Sequence, residues 1–168
     1  MKRILLGILL LSSLGAGAQV EIQQDGTGPD VSGTIVDINV DQFTATPYTP
    51  KFYVTNNTGA DAQWRIVRVK QSVPAGWTDQ ICWPPSCFPA SGDIYTTPST
   101  AGNPAPTIVD GTHMTTNAET AEIKPQVYPD GANAVAVYMY YIIDNSDTYV
   151  DSIGVRFNFV LGVEENTP

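Results

Sequence analysis

The chain reads as an all-β protein, a two-layer antiparallel sandwich, and three observations predict it. Several runs alternate apolar and polar side chains with period two, as in residues 33–40 (GTIVDINV) and 152–161 (SIGVRFNFVL). Helical periodicity is nearly absent beyond the first residues, while Thr, Val, Tyr, Gly, Pro and Asn are abundant. Turn-forming clusters such as Asn56-Asn57-Thr58-Gly59 and Tyr128-Pro129-Asp130-Gly131 divide the runs at short intervals. Six or seven short strands so spaced suit two packed antiparallel sheets.

Residues 1–18 carry the pattern of a secretory signal peptide. Lys2 and Arg3 precede an apolar run, residues 4–14, too short to span a bilayer, and Ala16-Gly17-Ala18 supplies a small-x-small cleavage site. Export and a mature start at Gln19 are therefore expected. What is left, about 150 residues, is the size of one domain. The net charge of −9 becomes −11 once Lys2 and Arg3 are removed. Such an acidic chain repels phosphate backbones and anionic lipid, so nucleic acid and membrane surfaces are poor partners. No membrane-integral segment is expected after cleavage. The two cysteines of an exported chain, Cys82 and Cys87, are most simply a disulfide.

Residues 19–32 are polar, with Gly26, Gly28 and Pro29, and are read as a flexible lead-in. Residues 33–40 form a half-buried strand with Val36, Ile38 and Val40 inward. Residues 51–55 follow as a second strand after a Thr- and Pro-rich turn. In residues 62–71 the alternation is impure: Trp64 and Ile66 share a side with Arg68 and Lys70, while Val67 and Val69 lie opposite. Either a bulge or partial cover on both faces would explain it. Val73-Pro74-Ala75-Gly76-Trp77 ends that strand and leads into a cysteine loop. Residues 91–111 read as coil or short edge pieces broken by proline. Residues 121–128 resume a strand whose Pro125 suggests an edge position. Residues 134–143 (AVAVYMYYII) are apolar on both faces, which marks a central strand covered on both sides or one facing a partner. In residues 152–161, Ile153, Val155, Phe157, Phe159 and Leu161 point inward. The sandwich is thus placed at 33–162, with a short polar tail over 163–168.

Asn56-Asn57-Thr58, Trp64, Pro74-Ala75-Gly76-Trp77, Cys82 and Cys87-Phe88-Pro89, with the later Pro129-Asp130-Gly131 turn, resemble a domain found in exported proteins of Bacteroidota. The resemblance covers roughly residues 35–160. It implies an immunoglobulin-like antiparallel β-sandwich of about seven strands with a small disulfide loop, and no chemistry. Many such relatives add a C-terminal sorting domain; none is recognised up to Pro168, so display by that route is not expected. Asp151-Ser152-Ile153 resembles the O-glycosylation motif of the same bacteria, which makes Ser152 a candidate acceptor.

Candidate sites for chemistry are few. His113 adjoins Met114, but a blue-copper centre needs two histidines and a thiolate, and the chain has one histidine. Serine-based acyl transfer lacks a nucleophile elbow beside a base. The acids are mostly Asp in turn contexts. Asp144, Asp147 and Asp151 could offer hard oxygens to calcium, yet the glycine and distal Glu of a calcium loop are missing and a hairpin turn accounts for them. No cofactor, metal or catalytic residue is expected. Trp77, Trp83 and Tyr95 are the candidate ligand contacts, Trp77 capping the core and Trp83 held outward on a loop tip by Pro84 and Pro85. The expected function is an exported, non-catalytic binding or structural module, serving adhesion or assembly in the periplasm, outside the cell or on its surface. The alternative is a carbohydrate-binding module that uses Trp83, Trp77 and Tyr95. The partner is then a protein or a glycan.

Overall fold

The structure, a computed structural model, describes residues 20–40, 47–111, 121–130 and 133–159. Eleven strands make two sheets that pack face to face, and the described residues contain no helix. Residues 1–18, expected to be a signal peptide, and His113, Met114, Gly131, Leu161 and residues 163–168 lie outside the described residues.

Strands β1 (Val20–Gln24), β3 (Phe52–Asn56), β9 (Glu122–Tyr128), β5 (Thr78–Trp83) and β6 (Ser86–Ala90) form the first sheet in that spatial order. Strands β2 (Ile35–Val40), β11 (Tyr149–Phe159), β10 (Ala134–Asp144), β4 (Ala62–Ser72) and β7 (Ile94–Thr96) run across the second, and β8 (Thr107–Ile108) pairs with β4. In immunoglobulin terms β1, β3, β9 and β5 occupy the A, B, E and D places, and β4, β10 and β11 the C, F and G places. All pairings are antiparallel except β2 with β11, which is parallel from Ile35↔Gly154 to Val40↔Phe159.

Period two decides what enters the core. Ile22, Phe52, Val54, Ile81, Ile123 and Val127 from the first sheet meet Ile66, Tyr138, Ile142, Ile153, Val155 and Phe157 from the second, all fully buried. The segment 19–32 corrects the expected lead-in: it holds β1, paired with β3 from Val20↔Asn56 to Gln24↔Phe52. Val20 and Ile22 alternate inward there, so the sandwich starts at least thirteen residues before Gly33. The cysteine loop is likewise a hairpin, β5–β6, closed by Pro84-Pro85.

Pro125 lies in β9, which sits third of five in its sheet and not at an edge. The ladder between β3 and β9 ends at Ile123, and only the bridge Tyr48↔Val127 follows on that flank. The missing N–H of Pro125 points to that flank and costs no ladder bond. In β4 the ambiguity resolves toward cover on both faces. Trp64, Ile66 and Arg68 are buried, Val67 and Val69 are half-buried on the outside, and a bulge near Gln71 shifts the register only at the strand's end.

Candidate functional site

Cys82 and Cys87 are disulfide-bonded and sit opposite each other in the β5–β6 register. Trp77 is buried and packs edge-on against Phe159, ring centroids 4.9 Å apart. Trp83 is not on an exposed tip: it is 1 % exposed. The alternation of β5 turns Asp79, Ile81 and Trp83 inward together, and Pro84-Pro85 tightens the turn without splaying it. Its Nε1–H donates to the carbonyl of Trp64 at 3.0 Å, linking β5 of one sheet to β4 of the other. Tyr95, opposite Arg68 in the β4–β7 register, is half-buried against the core. The three rings therefore form no exposed stacking platform.

Ser152 lies inside β11, buried, with Tyr149 Oη 3.3 Å from its Oγ. The candidate acceptor hydroxyl is thus covered and not presented at a strand mouth. Asp144, Asp147 and Asp151 serve separate tasks. Asp144 accepts the N–H groups of Ser146 and Thr148 in the β10–β11 turn, Asp147 pairs with Arg65, and Asp151 accepts the N–H of Ser152. Burial, with Asp30 adding like charge, holds the Asp151 carboxyl above its ordinary value despite that hydrogen bond. Among the described residues no three His, Cys, Asp or Glu side chains converge as a metal site would require.

The interior holds a polar cluster that the sequence reading missed. Arg68 of β4 and Asp79 of β5 form an ion pair between the sheets, Nε to Oδ2 at 2.8 Å, with both side chains essentially sealed from solvent. Lys70 Nζ stands 3.6 Å from the other Asp79 oxygen. Arg68 Nη1 also donates to the carbonyls of Gly92 and Asp93, at 2.9 and 3.2 Å, which anchors the connection between β6 and β7. Tyr138 and Tyr140 stack beside it with centroids 6.4 Å apart, their buried hydroxyls without a hydrogen-bond partner among the described residues. Burial raises both phenols, and the Asp79 charge adds to the rise while Arg68 opposes it. Burial also raises the Asp79 carboxyl, with Arg68 and then Lys70 pulling against it. Sealed in this way, the cluster ties the two sheets together. The signal for it was present in β4: an arginine on the side of Trp64 and Ile66 must find a partner when that side is buried.

The face that remains open is the outer side of the second sheet. Paired positions set Ile35, Gly154, Met139, Val69 and Ile94 in one row across five strands, β2 to β7. Ile94 is 67 % and Ile35 46 % exposed. A Cβ at Gly154 would stand 2.7 Å from Ile35 Cγ1 and 2.9 Å from Met139 Sδ, so these side chains close over the glycine and make the row continuous. The next row holds Val67, Tyr141 and Ser152, and Val135 and Tyr149 stand exposed toward the two ends. One end carries the ion pair Arg156–Asp37 at 3.0 Å, the other the pair Arg65–Asp147. An apolar band with a polar rim, spread over a flat sheet, is suited to binding a surface and not to enclosing a small molecule.

No family model matches the chain, and no curated protein matches it. Among solved structures it is similar to the N-terminal domain of PorA, with a TM-score of 0.60 at 12% identity, over 86% of this chain and 100% of that one. At that identity the likeness speaks for the fold.

Proposed function

We propose that the chain is an exported, non-catalytic binding or structural module that engages a protein partner through the outer face of its second sheet, in adhesion or assembly at the cell surface or outside the cell. The observation that carries this reading is the row Ile35–Gly154–Met139–Val69–Ile94, apolar across the outer side of five strands, with Ile35 and Ile94 exposed, Met139 and Val69 half-buried and Gly154 covered by its neighbours. An exposed apolar patch of that kind marks interaction surfaces in proteins. The signal-peptide pattern of residues 1–18 and the disulfide support export. The likeness to the N-terminal domain of PorA supports a module built on the same sandwich.

The test is retention of the purified mature chain by envelope and surface fractions of the native cells. Wild type is compared with Met139→Lys, Val69→Lys and a control, Gln126→Lys, on the other sheet. The reading expects at least a tenfold loss of retention for the first two and none for the control. Equal retention of all four proteins would end it.

A further inference from the structure

We propose that the partner of this face is a second copy of the chain, packed sheet against sheet about a two-fold axis. The inference rests on the reading above that the outer face is the binding surface, and names what binds there. Size is the first argument. The three long strands β11, β10 and β4, spaced at about 4.8 Å and flanked over part of their length by β2 and β7, and eight steps along β10 at about 3.4 Å give a projected footprint of roughly 500 Å². Against the ~800 Å² per partner of a standard stable interface, a footprint of this order suits a weak dimer.

Charge is the second argument. The chain carries −9 overall, so two copies repel unless they meet through a neutral patch. On this face Arg156 is matched by Asp37 and Arg65 by Asp147. Each end of the face therefore offers both signs.

Geometry is the third. An axis lying across the strands, between the Met139 and Tyr141 rows, sets each of these rows on the other row of the second copy. The same rotation brings the Arg156 end of one copy over the Arg65 end of the other, so neither end meets only like charge. Such an isologous contact closes on itself and leaves no apolar row unmatched.

Sedimentation equilibrium of the mature chain from 1 to 500 µM gives the test. The expected result is a monomer–dimer equilibrium with a Kd in the micromolar range, tightening several-fold as salt is raised from 0.05 to 0.5 M, because screening relieves repulsion between acidic copies. Met139→Lys and Val69→Lys, made separately and each checked for native circular dichroism, should weaken it at least 100-fold, and Gln126→Lys should leave it unchanged. Either folded variant suffices for the comparison. A wild-type chain that stays monomeric at 500 µM, or a dimer indifferent to both substitutions, overturns the proposal. A strict monomer whose retention by cells still depends on Met139 and Val69 overturns the dimer alone and leaves the binding face standing. Loss of both effects overturns both.

Discussion

Replacing Arg68 by Met keeps most of the side-chain volume and removes the charge from between the sheets. Asp79 then stays buried with only Lys70, at 3.6 Å, to balance it, and the carbonyls of Gly92 and Asp93 lose their donor. Breaking one side of a buried ion pair in this manner costs about 3–5 kcal/mol. That is a large share of the ~5–15 kcal/mol that holds a domain of this size. Asp79→Leu should cost a similar amount, because it strands the guanidinium. The double variant, Arg68→Met with Asp79→Leu, should recover most of the loss, since an apolar pair of similar volume carries no desolvation cost. Urea unfolding at pH 7 of the four proteins, with unchanged m-values, gives the coupling energy directly. Single costs under about 1 kcal/mol that simply add would refute the idea that this pair joins the sheets.

Three further outcomes are expected. Trp83→Phe keeps the packing but leaves the Trp64 carbonyl without its donor, and should cost about 1–3 kcal/mol in a urea melt, against about 3–5 kcal/mol for Trp83→Ala. Replacing both Cys82 and Cys87 by Ser should cost about 2 kcal/mol, because the closed loop is short, and should leave the circular dichroism spectrum unchanged; collapse of the fold would contradict this. Asp151 has a folded pKa raised above 3.8, so the unfolded chain releases that proton first and the residue's contribution to stability falls as pH climbs from 3.8 through the folded value. Asp30 behaves oppositely: its hydrogen bonds from Ser32 and Ile22 outweigh its burial, its folded pKa is lowered, and its contribution is lost as pH falls through that lower value. Compared with the wild type, urea midpoints between pH 3 and 7 should therefore fall less with rising pH in Asp151→Asn and fall more in Asp30→Asn, and parallel curves for all three proteins would count against both.

The two-layer outline was legible wherever one strand face is apolar and the other is not. Val36, Ile38 and Val40, or Ile153, Val155 and Phe157, declare their buried side without help from elsewhere. The turn at Asn56 was legible too, and the structure shows why: its side chain accepts from Thr58 and donates to Ala60 and Ile108. What escaped depends on distant partners. β1 has only Val20 and Ile22 as apolar marks, and β3, across a gap of 27 residues, makes them a strand. Pro84-Pro85 and two cysteines look like loop chemistry, yet a two-residue connection also closes a hairpin, and the hairpin register is what buries Trp83. Pro125 looked like an edge because the early end of the β3–β9 ladder could not be foreseen from local composition. The open face was half legible. The both-sided apolar character of residues 134–143 pointed to it, but the row needs Ile35 and Ile94, which come from strands far away in sequence.

The buried ion pair and the exposed apolar row are two consequences of one choice of face in β4. Successive side chains of a strand point to opposite sides, so a shift of one residue exchanges the two faces completely. With Trp64, Ile66 and Arg68 inward, Val67 and Val69 must lie outward beside Met139 and Tyr141. The exchanged arrangement would bury Val67 and Val69 but expose Trp64 and Ile66 together with Arg68, so the burial of apolar area already disfavours it. Three interactions oppose it: the Arg68–Asp79 ion pair, the Arg68 bonds to Gly92 and Asp93, and the Trp83 bond to the Trp64 carbonyl. All three join β4 to the segment 79–93 that immediately follows the crossing between sheets. That crossing is itself sharp, with Gly76 at φ +87, a backbone conformation that side-chain-bearing residues rarely adopt. The polar contacts inside thus add to the burial of Trp64 and Ile66 in deciding which side of β4 faces out, and losing the Arg68 contacts should lower stability while Val67 and Val69 stay presented outward.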